Sequence, residues 1–238
     1  MMFFKKFEIF SLAAMTLFIF GCSNNPSSPN VDKAIKLSIK AINTTNASPG
    51  NLGKITAGNV TITSARVVIA EVELKSSVGD SLDFELEQPF VKDLVVGSTL
   101  HEIETIQAPP GSFKELEIEL DELKAEDGST FTANPELQNR SILIKGYLND
   151  TPSDTFEFTS DLEEEQEQEF EPPIVLDDSS TSTNIVLTIN MDTWFVDENG
   201  NFIDPRAPEN KSAIEENIKN SIDVFEDKDD DGEKDGDD

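Results

Sequence analysis

Apolar and polar residues alternate with a period of two over much of the chain. In AIKLSIKA, Ile35, Leu37 and Ile39 share one face. NVTITSARVVIAEVELK places Val60 and Ile62 on one face, then Val68, Ala70, Val72 and Leu74. SLDFELE aligns Leu82, Phe84 and Leu86, and FKELEIELDEL sets Leu116, Ile118 and Leu120 against Glu115, Glu117 and Glu119. SILIKGYL, TFEFTS and NIVLTINM continue the pattern. Successive side chains of a strand point to opposite faces, so each segment has one face for a core and one for water. The clusters SPGN, SVGD, APPGS, EDGS, NDTPSD and DDSSTST punctuate the segments as turns. About nine or ten strands at this spacing predict a mainly β chain, an antiparallel β-sandwich rather than βαβ units.

The last quarter reads differently. MDTWFVDENGNFIDP holds the only tryptophan, Trp194, and an Asn199-Gly200 pair between apolar residues, a hairpin turn signal. Ser212 and Glu215 are spaced as a capping box. Ile214, Ile218, Ile222 and Phe225 follow at helical spacing, which predicts one C-terminal helix over about 213–226, docked by that stripe.

The first residues read as a segment that is removed. Lys5 and Lys6 precede an apolar run from Phe7 to Phe20, an n-region and an h-region. The run ends at Gly21-Cys22, which resembles the lipobox of bacterial lipoproteins; Phe20 is bulkier than that motif usually carries before its glycine. Cys22 is the only cysteine, and its position points to lipidation. Residues 22–30, with SNNPSSPN, form a polar tether. The organisation expected is a signal peptide over 1–21, the tether over 22–30, a sandwich over 31–205, a helix region over 206–226 and an acidic tail over 227–238. Ser23, not aspartate, follows Cys22, which by analogy with enterobacterial lipoprotein sorting points to an outer-membrane anchor.

Charge narrows the function. The formal net charge of −30 becomes −31 once residues 1–21, with two lysines and one glutamate, are removed. Such a surface repels nucleic acid phosphates and suits cations. The run DLEEEQEQEFEPP carries Asp161, Glu163, Glu164, Glu165, Glu167, Glu169 and Glu171. It reads as a solvated strand face or a protruding hairpin, with a cation or basic partner as the alternative.

Catalytic chemistry finds little footing. His101 is the only histidine and Tyr147 the only tyrosine, and LHEIE shows no local triad arrangement. One histidine and a lipidated cysteine do not supply a zinc site. No phosphate-binding glycine loop or nucleophile elbow occurs. The expected role is non-catalytic binding, adhesion or envelope structure, with an unidentified envelope protein or glycan as ligand and the membrane reached through Cys22. The alternative is an envelope carbohydrate-active hydrolase using paired carboxylates.

The end of the chain, FEDKDDDGEKDGDD, spaces acids as a calcium loop does. Asp227, Asp229 and Asp231 stand at loop positions 1, 3 and 5, and Gly232 at the sharp turn. Glu233 would offer its carbonyl, and Asp235 and Asp238 complete the set. This resembles EF-hand-like and thrombospondin-type loops, with Lys234 and the short Asp238 as departures. A frayed acidic tail is the alternative.

The order of ITSARVVIAEVEL, PFVKDL, APPGSFKELEIEL, NIVLTINMDTWF and IEENIKNSIDVFEDKDDDG resembles a group of uncharacterised bacterial lipoproteins, a domain of unknown function with a β-sandwich body. The resemblance implies an exported sandwich and brings no activity or catalytic residues.

Overall fold

A computed structural model describes residues 34–42, 53–55, 60–86, 88–94, 101–177, 183–227 and 231–234. All lie in the compact unit Asp32–Asp238. In chain order the strands are β1 (Ala34–Ile42), β2 (Gly53–Ile55), β3 (Val60–Ile69), β4 (Glu71–Ser76), β5 (Phe84–Leu86), β6 (Phe90–Asp93), β7 (His101–Gln107), β8 (Gly111–Leu120), β9 (Ile142–Tyr147), β10 (Thr155–Ser160), β11 (Glu164–Leu176), β12 (Thr183–Asn190) and β13 (Ile222–Asp227). Among the described residues two α-helices accompany them, α1 (Ser129–Ala133) and α2 (Lys211–Lys219).

The strands form three sheets packed as a sandwich, not a barrel. The first has the order β13-β12-β1-β7, the second β10-β9-β3-β2 with β6 also on β3, and the third β11-β8-β4-β5. Their apolar faces meet in one core, which holds Ile35, Leu37, Ile62, Val72, Leu116, Ile118, Ile144, Ile185 and Leu187. The pairing is antiparallel except between β1 and β12, which run parallel from Ile35↔Thr183 to Ile42↔Asn190. These two are the central strands of their sheet. The run Ile185-Val186-Leu187 is buried on both sides, as suits a parallel strand.

On β3 the alternation is broken in a way that the sequence pattern does not reveal. Val68 faces away from Val72 and Leu74: it lies in a second, smaller core with Leu123, Leu137 and Leu143. Val67 and Ile69 face the main core instead. The chain switches sheets at Ala70, whose N–H bonds the Glu119 carbonyl at 2.8 Å. The second core is roofed by the 121–140 excursion, including α1, so β3 is covered on both faces.

The C-terminal helix is present but shorter than expected. It ends at Lys219, and Ile222 and Phe225 belong to β13. The capping box is not formed: Asn210 precedes the helix without a side-chain cap, and Glu215 accepts a hydrogen bond from Ser160 Oγ at 2.5 Å. IDVFED satisfies a period of two as well as 3.6, and strand pairing with β12 buries Val224 in the core and Phe225 on the opposite face. The β-branched and aromatic residues favour that choice. The hairpin signal at Asn199-Gly200 is borne out: Gly200 has φ 77°, Val196 bridges Phe202, and Asp197 Oδ1 accepts the Asn199 and Asn201 N–H groups.

Candidate functional site: a carboxylate face

The third sheet turns its back on the core with a ladder of acids. Leu116, Ile118 and Leu120 point inwards, so Glu115, Glu117 and Glu119 point out, as the alternation predicts. The register then stacks acids from neighbouring strands beside them. Glu119 stands between Glu165 and Glu71, Glu117 between Glu167 and Glu73, and Glu115 between Glu169 and Lys75. Glu85 extends the middle row by pairing with Glu73. The face thus presents nine glutamates and one lysine.

Directly opposed like charges destabilise a sheet. Lys75 offsets part of this: its ammonium lies 3.0 Å from Glu115 and also pairs with Glu117. Hydrogen bonds to those two carboxylates hold Lys75 well above the ordinary lysine value. Elsewhere the repulsion is felt by the carboxyls. Burial, followed by the charges of Glu85 and Glu119, raises the pKa of Glu71. Burial also raises Glu73 and Glu119, with neighbouring acids adding to it. Glu165 is raised first by the charge of Glu117.

Oxygens of Glu115, Glu117 and Glu167 lie within 4.8 Å of one another. That spacing suits a hard cation, although the Lys75 ammonium already meets two of the three. At the end of the ladder a shallow recess of about 280 Å³ is lined by Lys114, Glu115, Glu169, Phe170, Glu171 and Pro173. Phe170 is 3% exposed and packs into the core, so its ring does not form a platform there.

The acidic run over 161–171 is a strand face, the reading preferred from the sequence. Glu165, Glu167 and Glu169 alternate outward along β11. Asp161 and Glu164 instead anchor α2, through Lys211 at 2.5 Å and Lys219 at 2.9 Å. The sequence shows each E-x-E run separately. Their shared period of two could have signalled a common face; their adjacency could not be read without the strand order.

The expected calcium loop is partly described. Asp229, Asp235 and Asp238 lie outside the described residues, as does Cys22. Asp227 ends β13 and is 1% exposed. Its Oδ1 accepts the Asp231 N–H at 3.2 Å, and its Oδ2 accepts the Gly232 N–H at 2.8 Å and Asn184 Nδ2 at 3.3 Å. Asn184 Oδ1 in turn accepts from Ser38 Oγ at 2.9 Å. Lys40 Nζ donates to the Gly232 carbonyl at 2.7 Å, and Lys234 approaches Asp223 at 3.7 Å. Residues Asp231–Lys234 are therefore tied back to β1 and β13. Asp231 Oδ1 accepts the Glu233 N–H at 2.7 Å.

The residues weighed as recognition or catalytic groups fall elsewhere. Trp194 and Phe195 are buried, at 1% and 0% exposure. Trp194 Nε1 donates to Ser221 Oγ at 2.8 Å, and Phe195 packs edge-on to Phe156 and Phe158. They are core, not a ligand platform. His101 opens β7 opposite Ile39, and Tyr147 ends β9 opposite Thr155. Comparison of the chain with family models, curated proteins and solved structures gives no match.

Proposed function

We propose that this is an exported lipoprotein, anchored through Cys22 in the outer membrane of the bacterial envelope, whose sandwich body works by binding rather than by catalysis. The observation that carries this reading is the carboxylate face. One sheet holds nine glutamates in register with one lysine among them. A cationic ligand, or a basic envelope partner, offsets that repulsion on binding, and like-charged nucleic acid is repelled. The burial of Trp194 and Phe195 favours a charge-reading surface over a sugar cleft. Within this reading the tail is a second, calcium-binding element, held by Asp227, Asp229, Asp231, Glu233, Asp235 and Asp238, whose oxygens suit a hard cation.

Two experiments test it. Cys22→Ser should abolish labelling by a fatty-acid probe and release the chain from the membrane fraction; labelling that persists removes the anchor. Calorimetric titration of the chain with spermine and with calcium tests the binding elements separately. Glu117→Gln with Glu167→Gln should weaken the spermine response, and Asp231→Ala should weaken the calcium response alone. Equal heats from parent and variants would mean that both are solvated acidic surface and that the binding role is wrong.

A further inference from the structure

Three large apolar side chains stand exposed among the described residues: Val78 at 76%, Leu82 at 57% and Val175 at 52%. The sequence pattern aligns Leu82 with Phe84 and Leu86, which are half-buried against the core, but it lies on a short 3-10 turn outside β5. The three gather at one corner. Val175 is paired with Ser112, whose carbonyl accepts the Ser77 N–H at 2.8 Å, so Val78 follows one residue beyond that row. Leu82 belongs to the same turn, its N–H bonding the Gly79 carbonyl at 3.0 Å.

Chain connectivity places this corner at the end of the body where β1 begins. Ala34 pairs with Gln107. Only Ala108, Pro109 and Pro110 separate Gln107 from Gly111, which pairs with Leu176. Ile35 pairs with Thr183, the first residue of β12. The starts of β1, β8 and β12 and the end of β11 thus share one end with the exposed apolar residues.

We infer that this corner docks on a zwitterionic lipid surface, with Val78, Leu82 and Val175 inserted at the headgroup boundary. The inference rests on the anchoring of Cys22 proposed above. Residues 23–33 separate Cys22 from Ala34, a reach of roughly 40 Å at full extension, so the anchor holds this end of the body, more than any other, beside the bilayer. Aliphatic side chains on a turn suit shallow burial in the interface. The charge of −31 left once residues 1–21 are removed, and the glutamate rows that begin at Glu115 and Glu169, repel anionic headgroups and favour zwitterionic ones.

The test uses the lipidated full chain in phosphatidylcholine vesicles. Val78→Cys and, separately, Val175→Cys are labelled with an environment-sensitive fluorophore, and Glu126→Cys, beyond the opposite end of β8, serves as control. The same labelled chains carrying Cys22→Ser, in vesicle-free buffer, give the reference. The expected result is a blue shift and a several-fold loss of iodide quenching at 78 and 175 in vesicles, with 126 unchanged. Chains that float with the vesicles while 78 and 175 stay as quenchable as 126 would overturn the docking and leave the anchor intact. Protection at 78 already present in the Cys22→Ser reference would overturn it in favour of a second copy of the chain. Lipid-dependent flotation that fails altogether would remove the anchor and the docking with it.

Discussion

Gly146 sits on β9 between β3 and β10, opposite Ile62 on one side and Phe156 on the other. A Cβ there would lie 2.2 Å from the Thr61 carbonyl oxygen and 2.6 Å from the Phe156 ring. The ring could turn, but the carbonyl belongs to the neighbouring strand's backbone and cannot give way cheaply. Gly146→Ala should therefore cost about 1–3 kcal/mol or more, as overpacking does. Urea unfolding of the two chains measures it, and an unchanged midpoint would mean that β3 and β9 are less closely apposed than described. A glycine inside SILIKGYL signals close approach of another group. Which groups approach could not be read from the segment, because Thr61 arrives from β3, far earlier in the chain, and Phe156 from β10, the strand that follows.

At the scale of an element, the carboxylate face couples stability to pH. Folding raises Glu71, Glu73, Glu119 and Glu165 above the ordinary value of 4.5, through burial for the first three and through the charge of Glu117 for Glu165. The folded state then binds protons more readily than the unfolded state between 4.5 and the raised values. Stability from these groups rises as pH falls through the raised values and is fully gained near 4.5. Asp161, Asp197 and Asp204 act in the opposite sense. Hydrogen bonds from Lys211, Asn201 and Arg206 respectively hold them below 3.8, and their contribution is lost only as pH falls below that value. The melting temperature should rise as pH falls from 7.5 towards 4.5 and fall again below 3.8. Glu119→Gln should flatten the rise, and added salt should reproduce part of it by screening. A melting temperature that only declines below pH 7.5 would show that neither burial nor neighbouring charge raises these carboxyls. Each strand's acids were legible as an outward row; the repulsion was not, because it arises only when β11, β8, β4 and β5 lie side by side.

For the molecule as a whole, one buried carboxylate joins residues 231–232 to the fold, beside the contacts made by Lys40 and Lys234. Asp227 accepts from Asn184 and from the Asp231 and Gly232 amides, which ties β12, β13 and residues 231–232 together. Asp227→Ala should cost about 1–3 kcal/mol, the penalty for stranding buried donors. It should also speed amide hydrogen exchange at Asp231 and Gly232, with or without calcium. Unchanged exchange at both amides would mean that other contacts, such as that of Lys40 with the Gly232 carbonyl, hold these residues. The sequence by itself determined the class of the fold, the inward set of Leu116, Ile118 and Leu120, the turn at Asn199-Gly200 and the existence of a helix near the C-terminus. Each of these is a property of one short segment, set by the period of its side chains or by the backbone freedom of its turn residues. Tertiary structure decided that Ile222 and Phe225 extend a strand, that Val68 looks away from Val72, that β1 and β12 run parallel, and that four strands of glutamates share a face. The physical reason is common to all four. A strand's hydrogen bonds are completed by residues far away in the chain, so its face and neighbours depend on competition among segments that no single segment records.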